Sequence, residues 1–199
     1  MRIVCLASGG IDSSVLMLML KNMNHEVFPL FVNYGQKAEK IEYVHFHKVC
    51  KFLKLEPEII DVSGLGKLSI GLTNQNLLFS DDPFFPARNL LLLTIGLQHA
   101  YTKSIRVVSI GSLGNSVFPD QTKQFLSGAE IALNSSVREP IKILSPLIDL
   151  NKREVVELAK KYGLPLELTY SCHIGTLQPC GQCMGCKERK SVEKFSLED

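Results

Sequence analysis

Five short runs rich in β-branched and aliphatic residues alternate with five longer stretches of helical period, and this alternation constrains the fold more than any other feature of the chain. The runs lie near residues 3–7, 27–32, 58–62, 105–110 and 141–144, and the helical stretches near 13–23, 39–53, 87–102, 120–134 and 152–162. Strands that alternate with helices pair in parallel through right-handed crossovers, so the expected fold is α/β, a five-stranded parallel sheet with flanking helices. In the last helix Val155, Leu158, Ala159 and Tyr162 follow the spacing of a buried stripe, Asn151 caps the first turn with Glu154 three residues on, and Gly163 suits the end. Residues 63–86 mix Gly, Asn, Asp and Pro without a period and read as a long loop, a length that in compact domains tends to serve function.

A chain of 199 residues is long enough for one core, expected over residues 1–168, with a cysteine-rich tail over 169–199 packed on the same domain. The net charge of +2 is too small to argue for wrapping nucleic acid. Basic residues cluster at Lys152, Arg153, Lys160 and Lys161 and again at Lys187, Arg189 and Lys190; these read as solvated helix faces or as a patch for phosphate or RNA. No apolar run approaches the ~18 residues of a membrane span, and the opening MRIVCLASGG enters a strand without the features of a secretory signal. The expectation is a cytoplasmic protein with no membrane partner.

The first strand runs into SGGIDSS, residues 8–14, and then into the apolar helical run VLMLML. Glycines at a strand's C-terminal end let backbone approach a phosphate, and the following helix presents unpaired N–H groups and the positive end of its dipole. Asp12 is informative, because a carboxylate beside phosphate is repulsive unless a cation bridges the two, and Mg²⁺ binds few carboxylates together with substrate phosphates. The loop has no lysine and is not the ordinary nucleoside-triphosphate loop. At Ser8, Gly9, Gly10, Asp12 and Ser13 it resembles the ATP-pyrophosphatase loop superfamily, whose members adenylate an oxygen and let a nitrogen or sulfur nucleophile displace AMP.

Four of the six cysteines, Cys172, Cys180, Cys183 and Cys186, are spaced C-x7-CxxCxxC. Four thiolates close a tetrahedral zinc shell and make a structural site, although an iron–sulfur cluster also uses such spacings. His173 is not needed as a ligand, and Cys5 and Cys50 sit on a strand and an apolar helix as core residues.

Loop and tail together resemble the 7-cyano-7-deazaguanine synthase (QueC) family along almost the whole chain. The likeness rests on SGGIDSS, NYGQK (33–37), FFPARN (84–89), FPDQTKQF (118–125), SPLIDLNKREV (145–155) and TYSC running into CGQCMGC. The resemblance implies a Rossmann-like, adenine nucleotide alpha hydrolase-like sheet with a zinc-binding C-terminal segment. It also implies an ATP-dependent carbon–nitrogen ligase: ATP adenylates 7-carboxy-7-deazaguanine, ammonia displaces AMP, and a second adenylation dehydrates the amide to the nitrile. On this resemblance Leu6, Ala7, Ser8, Gly9, Gly10, Ile11, Asp12, Ser13 and Ser14 bind ATP, with Asp12 on magnesium. Arg88 supplies a cation for developing phosphate charge or pairs at its helix start, and Lys152 is an anion ligand or a surface lysine. Tyr34, Gln36, Asn89, Phe118 and Asp120 are candidates for the substrate pocket, Asp120 as acceptor for guanine-like N–H groups. The family also suggests a homodimer and no nucleic-acid partner.

The stretch GSLGNSVFPDQT departs from the family: it is short, lacks the acidic glycine-containing insert, and has Gln121 and Thr122 where Cys and Arg are familiar. That departure admits a paralogue that stops at the amide or adenylates a different carboxylate. A reading from another class, a zinc-ribbon nucleic-acid-binding module, predicts salt-dependent RNA binding without ATP turnover.

Overall fold

A computed structural model of the chain describes residues 1–114 and 116–194, so residues 195–199 of the expected tail and Asn115 of the short stretch lie outside the described residues. The strands are β1 (Arg2–Leu6), β2 (Glu26–Asn33), β3 (Glu58–Asp61), β4 (Val107–Ser109) and β5 (Lys142–Leu144). The helices are α1 (Ile11–Asn22), α2 (Glu39–Leu53), α3 (Arg88–Thr102), α4 (Lys123–Asn134), α5 (Lys152–Lys161) and α6 (Met184–Lys194). Every strand pairs in parallel, in the order β3-β2-β1-β4-β5.

Alternation along β1 splits the core into two layers. Ile3 and Cys5 face a cluster with Val15 and Leu16 of α1, Phe46 and Val49 of α2 and Val155 and Ala159 of α5. Val4 and Leu6 face the other side, against Leu93 and Leu97 of α3 and Leu126 and Leu133 of α4. Strands buried on both faces read as continuous apolar runs, which is why β1 and β2 stand out in the sequence. Each fully buried Leu, Ile or Phe contributes ~1.5–3 kcal/mol from leaving water. Cys5 and Cys50 belong to the first layer, and burial pushes both thiols up, Cys50 to about 12, so they are inert core residues.

Helix boundaries shift where loop chemistry decides them. α1 begins at Ile11, before the expected residue 13, because Gly10 takes an extended cap conformation (φ −76°, ψ 167°). Asp120 falls in a separate 3₁₀ turn, Pro119–Gln121, and Thr122 starts α4 by accepting the Phe125 N–H at 3.1 Å. In residues 63–86 the chain makes two short 3₁₀ turns, Ser63–Leu68 and Gly71–Thr73, and Lys37 Nζ ties Leu77 O down at 2.6 Å. The helix α6 lies beyond the five helical stretches expected, although Lys187, Arg189 and Lys190 read as a helix face; its buried positions are Gly185, Cys186 and Val192. Among the described residues no helix is long and apolar enough to cross a membrane.

The sheet order reverses at β1, whose neighbours β2 and β4 are reached in opposite directions. Crevices outside the carboxyl ends of strands at such a reversal collect ligands in open α/β folds.

Candidate active site and metal centre

A cleft opens at that reversal. Residues 6–8 and 10–13 form one wall, Leu30, Val32, Tyr34 and Gln36 another, and Ile110–Ser112 follow from β4. Arg88, Asn89 and Leu92 of α3, Lys152 of α5, and Tyr170, His173, Gly185 and Glu188 of the C-terminal segment complete it.

Gly9 holds the loop against α2. Its φ is +78°, and a Cβ there would lie 2.5 Å from Phe46 N and 2.8 Å from Glu42 O, so no side chain fits. Gly10 caps α1 without a side-chain bond, leaving first-turn N–H groups for a ligand. The serines divide. Ser8 is exposed at the loop's rim, Ser13 Oγ accepts Ser8 N–H at 3.2 Å, and Ser14 is fully buried with its hydroxyl donated to Gly10 O at 2.7 Å. Gly9 and Ser14 therefore shape the loop from behind, while Leu6, Ala7, Ser8, Gly10, Ile11, Asp12 and Ser13 face the cleft.

The first turns of α1 and α5 meet through charge. Lys152 Nζ lies 2.8 Å from Asp12 Oδ2 and 3.2 Å from Glu188 Oε2 of α6. Its position is set by a capping box: Asn151 Oδ1 accepts Glu154 N–H at 3.1 Å, and Glu154 Oε2 accepts Asn151 N–H at 2.7 Å. Burial pulls the Lys152 ammonium down, but Asp12 and Glu188 outweigh it and hold it above its ordinary value. Burial raises the Asp12 carboxyl, with Lys152 opposing. Among the described residues Asp12 Oδ1 and Ser112 Oγ are buried without a partner, so the cleft wall presents these two polar atoms unsatisfied, one of a carboxyl and one a hydroxyl.

Arg88 opens α3 and reaches Asn89 Oδ1 at 3.3 Å. Asn89 is held by Asp120, whose Oδ2 accepts its backbone N–H at 2.9 Å and whose carbonyl accepts Nδ2 at 2.8 Å. Asp120 thus caps the start of α3 with one carboxylate oxygen. It lies with Phe118 in a small adjoining depression that shares Arg88 and His173 with the main cleft, and Phe118 stacks on Phe84 at 6.0 Å. Gln36 is buried, and its Oε1 accepts the Tyr34 N–H at 2.9 Å.

Sequence reasoning passed over Glu42, His173 and Glu188, which all line the cleft. Glu42 reads as an ordinary first-turn acid, and Glu188 sits in a KERK run that reads as a solvated face. That run is divided: Lys187 and Lys190 are exposed, but Arg189 turns inward to Thr169 O at 2.9 Å and Leu166 O at 2.7 Å and pins α6.

Next to the cleft, the sulfurs of Cys172, Cys180, Cys183 and Cys186 all lie within 4.8 Å of one another, a metal-binding arrangement. Backbone N–H groups point at them: Cys180 N to Cys172 Sγ (3.4 Å), Cys183 N to Cys180 Sγ (3.3 Å) and His173 N to Cys183 Sγ (3.4 Å). Burial alone would raise the Cys172 thiol, yet the N–H groups of Cys180 and Ile174 pull it down to about 6, so it is ready as a thiolate ligand. The segment is joined to the loop by Tyr170 N–H, which donates to Gly9 O at 2.9 Å.

A family model described as "Queuosine biosynthesis protein QueC" matches residues 2–195. Among curated proteins the chain is 32% identical over 202 residues to 7-cyano-7-deazaguanine synthase 1 of Desulfitobacterium hafniense (strain Y51), covering 96% of this chain and 90% of that protein. It is 33% identical over 216 residues to 7-cyano-7-deazaguanine synthase of Sulfurihydrogenibium sp. (strain YO3AOP1), covering 100% and 96%. Among solved structures it is similar to a 4-thiouridine synthetase in complex with RNA and bound ATP (TM-score 0.57, 17% identity, 97% of this chain and 50% of that one). It is also similar to NMN synthetase from Francisella tularensis (TM-score 0.57, 15% identity, 98% and 76%). At those identities the structural likeness speaks for the fold.

Proposed function

This chain belongs to the family of queuosine biosynthesis protein QueC, and on that footing we propose that it converts 7-carboxy-7-deazaguanine and ammonia to 7-cyano-7-deazaguanine through adenylated intermediates. The observation that carries the reading is one cleft in which a bare helix N-terminus, the Asp12–Lys152 pair and Arg88 converge at the reversal of the sheet.

The residues divide the work. The first turn of α1 offers N–H donors to the terminal phosphates, and Ser8, whose Oγ accepts the Gly10 N–H at 3.3 Å, adds a hydroxyl from the rim. Arg88 balances charge that develops as the acyl oxygen attacks the α-phosphate, and Asn89, fixed by Asp120, sets where α3 begins. Asp12, whose Oδ1 has no partner among the described residues, would hold a divalent cation; magnesium there would supply positive charge against the phosphates. Asp12 Oδ2 meanwhile keeps Lys152 at the same end of the cleft.

Zinc fits the four cysteines better than a cluster does. A single ion with Zn–S bonds of about 2.3 Å draws its sulfurs to within roughly 4 Å of each other, and Cys180 Sγ and Cys186 Sγ are 3.9 Å apart. A four-iron cluster needs its thiolates spread more widely. An all-thiolate site also supports a reducing compartment, the cytoplasm.

Incubation with ATP, Mg²⁺, ammonium and the deazapurine acid should give the nitrile mass with AMP and pyrophosphate. ADP and phosphate would remove the reading, and a product mass stopping at the amide would select the paralogue that Gln121, facing the cleft, leaves room for. The family resemblance extends the reading to a homodimer, for which the exposed depression where Phe79 (49% exposed), Val117 (79%) and Met184 (43%) meet is a candidate contact surface. Light scattering should give twice the chain mass of 22.2 kDa, and a single-chain mass at micromolar concentration would exclude the dimer.

A further inference from the structure

A third carboxylate faces the cleft besides Asp12 and Glu188. Glu42 lies in the first turn of α2, and its backbone carbonyl is pressed against the bare Cα of Gly9, which fixes it beside the phosphate loop. Its side chain is aimed rather than free. Oε2 accepts Gln36 Nε2 at 3.1 Å, while Gln36 is itself locked by the Tyr34 N–H at 2.9 Å and by Val32 O at 3.4 Å. The charged and titratable groups that face Glu42 are Arg88 from α3, Tyr34 from the end of β2, and Glu39 from its own helix. Burial pushes the carboxyl up to about 7, against the pull of the Gln36 hydrogen bond and Arg88.

The proposed chemistry needs such a group. Ammonium has no lone pair and cannot attack, and forming an amide from ammonium and an adenylate releases two protons. Asp12 Oδ2 and Glu188 Oε2 both hold Lys152, and the reading above gives the other oxygen of Asp12 to the cation, which leaves Glu42 as the cleft carboxylate with no other role. Resting on the reading above, we infer that Glu42 is the proton acceptor for the nitrogen nucleophile, taking a proton from ammonium beside Arg88 so that neutral ammonia attacks the adenylated carbon. The C–N bond forms, and the C–O bond to AMP breaks with its electron pair on the phosphate oxygen. The second proton passes from the nitrogen to that oxygen. Glu42 returns its own proton to solvent.

The test separates this role from the reading it rests on. Acid-dependent exchange of pyrophosphate into ATP reports adenylation alone, and wild-type protein lacking it would end both the reading and the inference. With exchange present, Glu42→Gln should keep it within a few fold while the ammonia-dependent rate at pH 7 falls roughly a hundredfold. The wild-type rate at fixed total ammonium should level off above pH 7. The E42Q rate should go on rising tenfold per pH unit with the free ammonia. Exchange lost together with the ammonia step, or an E42Q profile as flat as wild type, would overturn the role.

Folding is checked by melting. Because burial raises Glu42 from 4.5 to about 7, the stability it contributes when protonated is lost as pH rises through that window. E42Q should therefore melt higher than wild type at pH 8, with most of the gain gone at pH 5. A lower melting temperature at pH 8 would show a carboxylate kept for the fold and would also overturn the inference.

Discussion

Replacing Asp12 with Asn should lower turnover by about 10²- to 10³-fold while the protein remains folded, the scale on which removing one fixed charge-stabilising contact acts. Asn keeps the shape and loses the charge. The unpartnered Oδ1 could then no longer hold a divalent cation against phosphate, and the 2.8 Å contact to Lys152 would change from an ion pair to a neutral neighbour. The fold should tolerate this, because burial already disfavours the Asp12 charge and Lys152 keeps Glu188 at 3.2 Å. Steady-state AMP release, its magnesium dependence and a thermal melt measure the three consequences together. A D12N rate within tenfold of wild type would take Asp12 out of the mechanism; a melting temperature many degrees lower would make it a structural residue.

How much of this could be read from the chain depends on distance along it. The capping box at Asn151 and Glu154 spans three residues and was legible, as were β1 and β2, whose two-sided burial leaves continuous apolar runs. The four cysteines were legible because metal ligands carry their own spacing. Contacts between distant elements were not. Asp12 meets Lys152 across 140 positions and Asn89 meets Asp120 across 31, and nothing local announces either pair. Without the family resemblance Lys152 would read as one more surface lysine. Glu42 shows a different limit: its neighbour Gln36 is close in sequence, but only the packing of Gly9 on α2 turns that face of the helix toward the cleft. The helix α6 is hard to read because its inner face is built from Gly185, Cys186, the stem of Arg189 and Val192, of which only Val192 is a large apolar residue.

Stripping the metal, or replacing Cys183 with Ser, should lower the melting temperature by about 10 °C or more and loosen the nucleotide end of the cleft as well. Structural zinc binding in peptides contributes on the order of 10 kcal/mol, and a loss of even 4 kcal/mol in a domain of this size shifts melting by about 8–16 °C. The segment's own apolar cluster is small, Ala38, Tyr170 and three of the cysteines with Ile41, Ile174 and Cys180 beside them; besides it Val192 packs in the first core layer and Arg189, Tyr170 N–H and Glu188 supply polar anchors. The same segment supplies Tyr170, His173, Gly185 and Glu188 to the cleft, and a Cβ on Gly185 would meet Ser171 O at 2.1 Å, so α6 must sit tightly on the turn that carries the first cysteine. Losing the metal should therefore free Glu188 from Lys152 and Tyr170 from Gly9 O, weakening ATP binding in calorimetry along with the melt. Complete metal loss by mass spectrometry with an unchanged melt would mean that Arg189 and the apolar contacts suffice. An unchanged ATP affinity beside a lowered melt would mean that the cysteine clip stabilises the fold without shaping the cleft.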